Sequence, residues 1–131
     1  MKVIDIKTNA KEELIDLTND VKEYVASSGV KKGGCLIYVP HTTAGVTINE
    51  NADPSVRADI LMTMKSIVSD SLPFSHSEGN SPAHMKSSLI GSSVNVIIEN
   101  GHLLLGTWQG IFFCEFDGTR RRRVFLEISP I

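Results

Sequence analysis

Apolar and polar residues alternate through Val3, Ile4 and Ile6, which predicts a first strand over residues 2–7, and Leu14, Ile15 and Leu17 suggest a second, short one. Thr18 is placed as N-cap of a helix that carries Val21, Tyr24 and Val25 on one face and stops at Gly29. After Gly33 and Gly34, the run Cys35-Leu-Ile-Tyr-Val39 is short and rich in β-formers, as an interior strand is. Pro40 ends it, and residues 46–48 resume as a strand. Asp53 before Pro54 starts a helix with Val56, Ile60, Met64, Ile67 and Val68 at 3.6-residue spacing, ending near Ser69.

From His76 to Lys86 the apolar pattern disappears: His-Ser-Glu-Gly-Asn-Ser-Pro-Ala-His-Met-Lys. Gly79 and Pro82 forbid a continuous helix here, so the polar groups sit on a shaped loop, with Ser81 and Pro82 opening a helix at its end. Such a loop is either a solvated connection or the lining of a site. Strands follow over residues 94–98, 103–105, 111–116 and 119–128, with Asn100-Gly101 and Asp117-Gly118 as two-residue hairpin turns. Two main helices and seven or eight strands clustered in hairpins predict an α+β fold, a predominantly antiparallel β sandwich-like sheet, as a single domain over residues 1–131.

The last hairpin sets a testable register. A two-residue turn at Asp117-Gly118 puts Glu115 opposite Arg120 and Phe113 opposite Arg122, with Arg121 and Arg123 on the other face. The run Arg120–Arg123 then splits into two pairs, one of which, oriented by Glu115, forms a phosphate clamp, unless all four only protect an edge strand.

Composition changes this picture little. A formal charge of −2 over 131 residues argues against a general nucleic-acid partner. No apolar run approaches a membrane span and the N-terminus lacks a signal-peptide core, so a cytoplasmic protein with no membrane partner is expected. Cys35 and Cys114, both in apolar runs, read as buried thiols. His41 lies where an interior strand ends; with His76 and His84 it offers three imidazoles for a divalent metal, zinc by ligand type, although no HxH or HExxH spacing enforces it. Glu50, in a polar turn, is a candidate acid/base carboxylate, and Asp53 is explained by capping.

The segments His41-Thr-Thr-Ala-Gly-Val-Thr-Ile-Asn-Glu-Asn-Ala-Asp-Pro54, Gly79-Asn-Ser-Pro-Ala-His-Met-Lys-Ser-Ser-Leu-Ile-Gly91, Glu99-Asn-Gly through Leu105-Gly-Thr-Trp-Gln-Gly-Ile111, and Glu115-Phe-Asp-Gly-Thr-Arg120 resemble the YjbQ-like proteins. Those are often described as secondary thiamine-phosphate synthases. The resemblance implies a β-rich α+β fold, a homotrimer, and a weak transferase activity joining a pyrimidine pyrophosphate to a thiazole phosphate with loss of pyrophosphate. Thr119 departs from the family's usual Pro after Asp-Gly. The resulting expectations are Glu50, His76 and Lys86 as catalytic residues. Thr42, Thr43, Asn49, Asn80, Gln109, Arg120 and Arg122 are expected to bind a phosphorylated small molecule, and His41, His76 and His84 to hold a metal, zinc or magnesium. The alternative is a metal- or phosphometabolite-binding protein without catalysis.

Overall fold

A computed structural model describes residues 1–131. Eight strands and three helices follow in the order β1 (Lys2–Lys7), β2 (Glu13–Asp16), α1 (Thr18–Ser28), β3 (Gly33–Tyr38), β4 (Ala44–Glu50), α2 (Pro54–Ile67), α3 (Ser81–Ile90), β5 (Ser93–Glu99), β6 (His102–Leu103), β7 (Gln109–Glu115) and β8 (Arg121–Pro130). They form a five-stranded antiparallel sheet, β1-β8-β3-β5-β6, and a three-stranded one, β2-β7-β4. The α+β sandwich expected from the hydrophobic pattern is the observed fold, with a third helix beyond the two counted. No helix is long and apolar enough to cross a membrane.

Side-chain alternation decides what each layer buries. On β7, Ile111 and Phe113 face the large sheet and join Ile37, Val46, Val96, Ile98, Val124 and Leu126 in the main core. Phe112, Cys114 and Phe116 point the other way; Cys114 and Phe116 pack with Ala83 of α3 and with Leu14 and Leu61, while the Arg57 guanidinium of α2 lies 5.3 Å from the Phe112 ring centroid. That double burial explains why residues 111–114 read as one continuous apolar run. Helix α1 places Val21 and Val25 in the main core and ends at Gly29, whose φ of 72° suits only glycine there. Helix α2 starts on Pro54, with the Asp53 carboxylate accepting from Ser55 N at 2.9 Å. Its apolar stripe is narrower than expected: Met64 and Val68 are buried, whereas Ile67 is 62% exposed. Asn80, one residue earlier than expected, is the cap position of α3. Trp108, expected in a core or an interface, is 62% exposed in the chain.

The Asp117-Gly118 hairpin is not formed. Both edges of β7 are already taken, by β2 and β4, so β8 cannot pair with it. The chain instead crosses at residues 116–120 into the large sheet, where β8 lies between β1 and β3 with Arg122 opposite Ile6 and Arg121 opposite Lys7. The segments joining β1 to β2 and β3 to β4 cross at the same end. Phe116 N donates to Thr43 O at 3.2 Å, Thr8 N to Arg120 O at 3.0 Å and Gly118 N to Lys11 O at 2.9 Å, lacing the three crossings together.

Gly45 marks where α3 meets β4. A Cβ there would lie 2.6 Å from the Gly91 carbonyl oxygen, whereas one on Gly34 meets nothing within 4 Å. Gly45→Ala is therefore expected to cost roughly 1–3 kcal/mol as overpacking against backbone, and Gly34→Ala to stay within about 0.5 kcal/mol. Urea unfolding of the two variants checks the difference.

Candidate functional site

Strand termini place the buried polar residues at the crossing end. Glu115 closes β7 and projects between the sheets, completely buried; Arg122 opens β8 from the opposite sheet, also buried. Arg122 Nε donates to Glu115 Oε1 at 2.9 Å and Nη2 to Thr43 Oγ1 at 2.9 Å. Thr8 Oγ1 donates to Glu115 Oε1 at 2.9 Å and Asp117 N to Oε2 at 3.1 Å. Glu115 thus orients Arg122, not Arg120, because the arginines enter from the other sheet rather than across a hairpin. Arg120 is held by Asp117 instead: Nη2 donates to Asp117 Oδ2 at 2.9 Å and Nε to Asp117 O at 2.8 Å. The same Asp117 oxygen accepts from Asn80 Nδ2 at 2.9 Å.

Over this network lies an open cavity of ≈ 400 Å³, walled by His41, Thr42, Thr43, His76, Glu78, Asn80, His84, Arg120 and Arg122 together with Pro40. The His76 and His84 rings meet edge-on with centroids 5.3 Å apart, and His76 Nε2 lies 3.9 Å from the Glu78 carboxylate. Two guanidinium groups, three histidines and two threonines converge. Their carboxylate partners, Glu115 and Asp117, sit behind them, and Glu78 is the one acidic side chain on the lining. Asn80 Oδ1 is the only buried side-chain oxygen or nitrogen without a hydrogen-bond partner.

His41 faces the cavity with one nitrogen committed: Nε2 accepts from Arg123 N at 2.9 Å. An accepting Nε2 places the proton of the neutral ring on Nδ1. Burial, then the Arg122 charge, pushes the His41 pKa below its ordinary 6.5, against a smaller opposing pull from Glu115. This answers the metal expectation within one chain. His41 Nε2 is not free to ligate, and no three His, Cys, Asp or Glu side chains are arranged to hold an ion. The residues do not fit a zinc or magnesium centre, and no step below passes through one.

Of the other expected site residues, Thr42, Asn80, Arg120 and Arg122 line the cavity. Thr43 is buried and accepts from Arg122. Lys86 points away, its Nζ 2.8 Å from Glu12 Oε2 in a part-buried ion pair on the lining of a neighbouring cavity. Asn49, Glu50 and Gln109 are at the far end of the small sheet, where Glu50 pairs with Gln109 and Asn49 with Gly110. Six residues of extended strand separate Glu50 from Ala44, which puts it ~20 Å from the cavity at about 3.3 Å per residue. Glu50 is therefore not beside the histidines, because the helix it precedes lies on the outer face of the small sheet. Glu78, Asp117 and Thr8 were not singled out; Asp117 was hidden in an apparent turn dipeptide, and nothing local marks Thr8.

Two interlocked sheets with a polar pocket at their crossing end define an α+β sandwich protein with one composite site. The family described as UPF0047 protein YjbQ-like matches residues 2–130, and the chain belongs to that family. The UPF0047 protein of Methanocaldococcus jannaschii is 56% identical over 123 residues, 94% of this chain and 89% of that one. YugU of Bacillus subtilis is 50% identical over 133 residues, 98% of each. Among solved structures, a YjbQ/UPF0047 protein of Clostridium acetobutylicum is similar with a TM-score of 0.96 at 52% identity, over 98% of this chain and 100% of that one. A YbjQ-like protein of unknown function from Sulfolobus solfataricus gives 0.95 at 34% identity, over 99% and 96%.

Two outcomes follow. Arg122→Ala leaves Glu115 buried and unpaired, and should cost about 3–5 kcal/mol. Arg123→Ala removes only an exposed contact 3.8 Å from Asp5 and should cost under about 1 kcal/mol; urea unfolding separates them. The unfolded chain also binds a proton at residue 41 more readily than the folded one. Stability supplied by neutral His41 is present above pH 6.5 and is lost as pH falls through the depressed folded value. Stability measured at pH 8 and pH 5 should fall more for the parent chain than for His41→Gln.

Proposed function

We propose that the cavity binds the phosphate groups of a small organic phosphate, and that the protein acts as a transferase of the secondary thiamine-phosphate synthase type. The observation that carries this reading is the donor-lined wall: Arg120 and Arg122 with His76, His84 and Thr42, and their carboxylate partners turned inward. Guanidinium forks and imidazole N–H groups match phosphate oxygens in geometry and charge. In the reaction that the family resemblance implies, the pyrimidine–pyrophosphate C–O bond breaks and pyrophosphate leaves with its electron pair. The thiazole nitrogen supplies the pair for the new C–N bond. Donors already aimed at the leaving group stabilise the growing negative charge without reorganising. In this reading Arg120, His76 and His84 touch the pyrophosphate, Asp117 positions Arg120, and Glu115 positions Arg122. Lys86 is assigned no proton transfer, since its ammonium is sealed against Glu12.

Binding without turnover is the second reading, favoured by one feature: Glu50 and Lys86, the expected proton-transfer groups, both lie away from the cavity. Incubation with a pyrimidine pyrophosphate and a thiazole phosphate, followed for pyrophosphate release, separates the two readings; binding without release supports the second. The homotrimer belongs to the same proposal, since Glu50 and Gln109 approach a cavity only if it belongs to a neighbouring copy. A monomeric mass by light scattering at micromolar concentration would remove that part.

Arg120→Ala is expected to weaken binding of inorganic pyrophosphate by about 1.5–3 kcal/mol, the range of a lost charge-assisted contact. Arg121→Ala, exposed at the start of β8 and outside the cavity, should change it little. Calorimetry giving equal losses for both would remove the clamp.

A further inference from the structure

A groove of ≈ 560 Å³ runs between β1 and α1 and shares no residue with the cavity of the proposed site. Its lining has two parts. From α1 come Asp20, Glu23, Tyr24 and Ser27, the i, i+3, i+4, i+7 stripe of one helix face. From β1 come the consecutive residues Lys2, Val3, Ile4 and Asp5. Side chains alternate between the faces of a strand, so a wall that includes both parities is the strand's edge rather than either face. That edge is open, because β1 is the outermost strand of the five-stranded sheet. Thr8 N donates to Arg120 O at 3.0 Å where the β1–β8 ladder ends, and the same register pairs Ile6 with Arg122 and Ile4 with Val124. Antiparallel bonding alternates along a strand, which turns the N–H and C=O of Val3 and Asp5 away from β8 and toward the groove. No backbone hydrogen bond from outside the sheet reaches residues 2–7.

The charge on the lining is one-sided. Three carboxylates, Asp5, Asp20 and Glu23, stand against one ammonium, Lys2. Asp5 meets Arg123 at 3.8 Å, whereas Asp20 and Glu23 take part in no ion pair. Val3, Ile4 and Tyr24 add half-buried apolar surface between these charges. The open edge offers main-chain hydrogen bonds to an added strand, and the helix stripe offers carboxylates to its side chains, the arrangement of β-strand addition. The other free edges of this chain do not suit the groove: β2 carries Glu13 and Asp16, β4 ends on Glu50, and β6 is only two residues long. We infer that the groove receives an extended segment of another protein, rich in lysine or arginine, as a strand added beside β1.

The test uses the full chain and a fluorescent, end-blocked six-residue peptide of alternating lysine and valine, titrated by anisotropy. Two companion peptides replace lysine by glutamate, or carry an N-methyl group at every residue and so lack backbone donors. Both are expected to bind at least tenfold more weakly. In the protein, Val3→Pro removes one outward donor and leaves the ladder to β8 intact, and Glu23→Lys reverses a charge on the exposed helix face. Each should weaken the lysine peptide at least fivefold. Asp59→Lys, the same charge change on α2 outside the groove, should leave it unchanged. If circular dichroism shows Val3→Pro unfolded, Glu23→Lys and the methylated peptide still decide. Equal binding of the methylated peptide, an equal loss in Asp59→Lys, or no binding of the lysine peptide at millimolar concentration overturns the added strand. An oligomer of the parent chain that falls apart in Glu23→Lys, read by light scattering, assigns the groove to a second copy and overturns the proposal as well.

Discussion

The ion pair between Glu115 and Arg122 is the constraint on which the crossing end depends. Removing a carboxylate and a guanidinium from water costs several kcal/mol each, so such a pair persists only when its other hydrogen-bonding positions are met. Here they are met from three of the connections that pass between the sheets. Thr8 comes from the first crossing, Thr43 from the second, and Asp117 N from the third. Each crossing can occupy only the path that satisfies the pair. The same bonds that make burial of two charges tolerable therefore fix how the small sheet is joined to the large one.

The pocket inherits its character from this arrangement. A carboxylate placed behind an arginine holds the guanidinium in one orientation, and the donors not used inward are left facing the cavity. Glu115 does this for Arg122, and Asp117 for Arg120. Surface arginines without such backing lose side-chain entropy on meeting a ligand; these two have largely lost it already on folding. His41 is held similarly, its Nε2 tied to the backbone of β8. The ring reads as part of the frame more than as a free base or ligand.

The loop carrying His76, Glu78 and Asn80 stands apart from this rigidity. It is exposed along most of its length, and its tie to the frame is the Asn80–Asp117 hydrogen bond. Asp117 therefore joins the loop to Arg120 through one carboxylate oxygen.

Local periodicity determined much of this protein: the alternation of β1, the continuous apolar run of β7 between two layers, the Asp53-Pro54 helix start and the Gly29 stop. The polar stretches at residues 41–43 and 76–80 were also legible as loops outside the core, because a segment dense in His, Thr and Asn has little apolar surface to bury. What the sequence could not determine was which strands share a sheet. Asp117-Gly118 has the composition of a hairpin turn, and local propensity cannot register that both edges of β7 are filled by β2 and β4, strands drawn from far earlier in the chain. That pairing reverses the partners of Arg120 and Arg122. It also moves Glu50 and Gln109 to the end of the sheet opposite His41, although Glu50 is nine residues from it in sequence. A strand carries its ends apart by about 3.3 Å per residue, so nearness in the chain is lost along β4, while Thr8 and Arg122, far apart in sequence, meet on Glu115 because three crossings share one end of the sandwich.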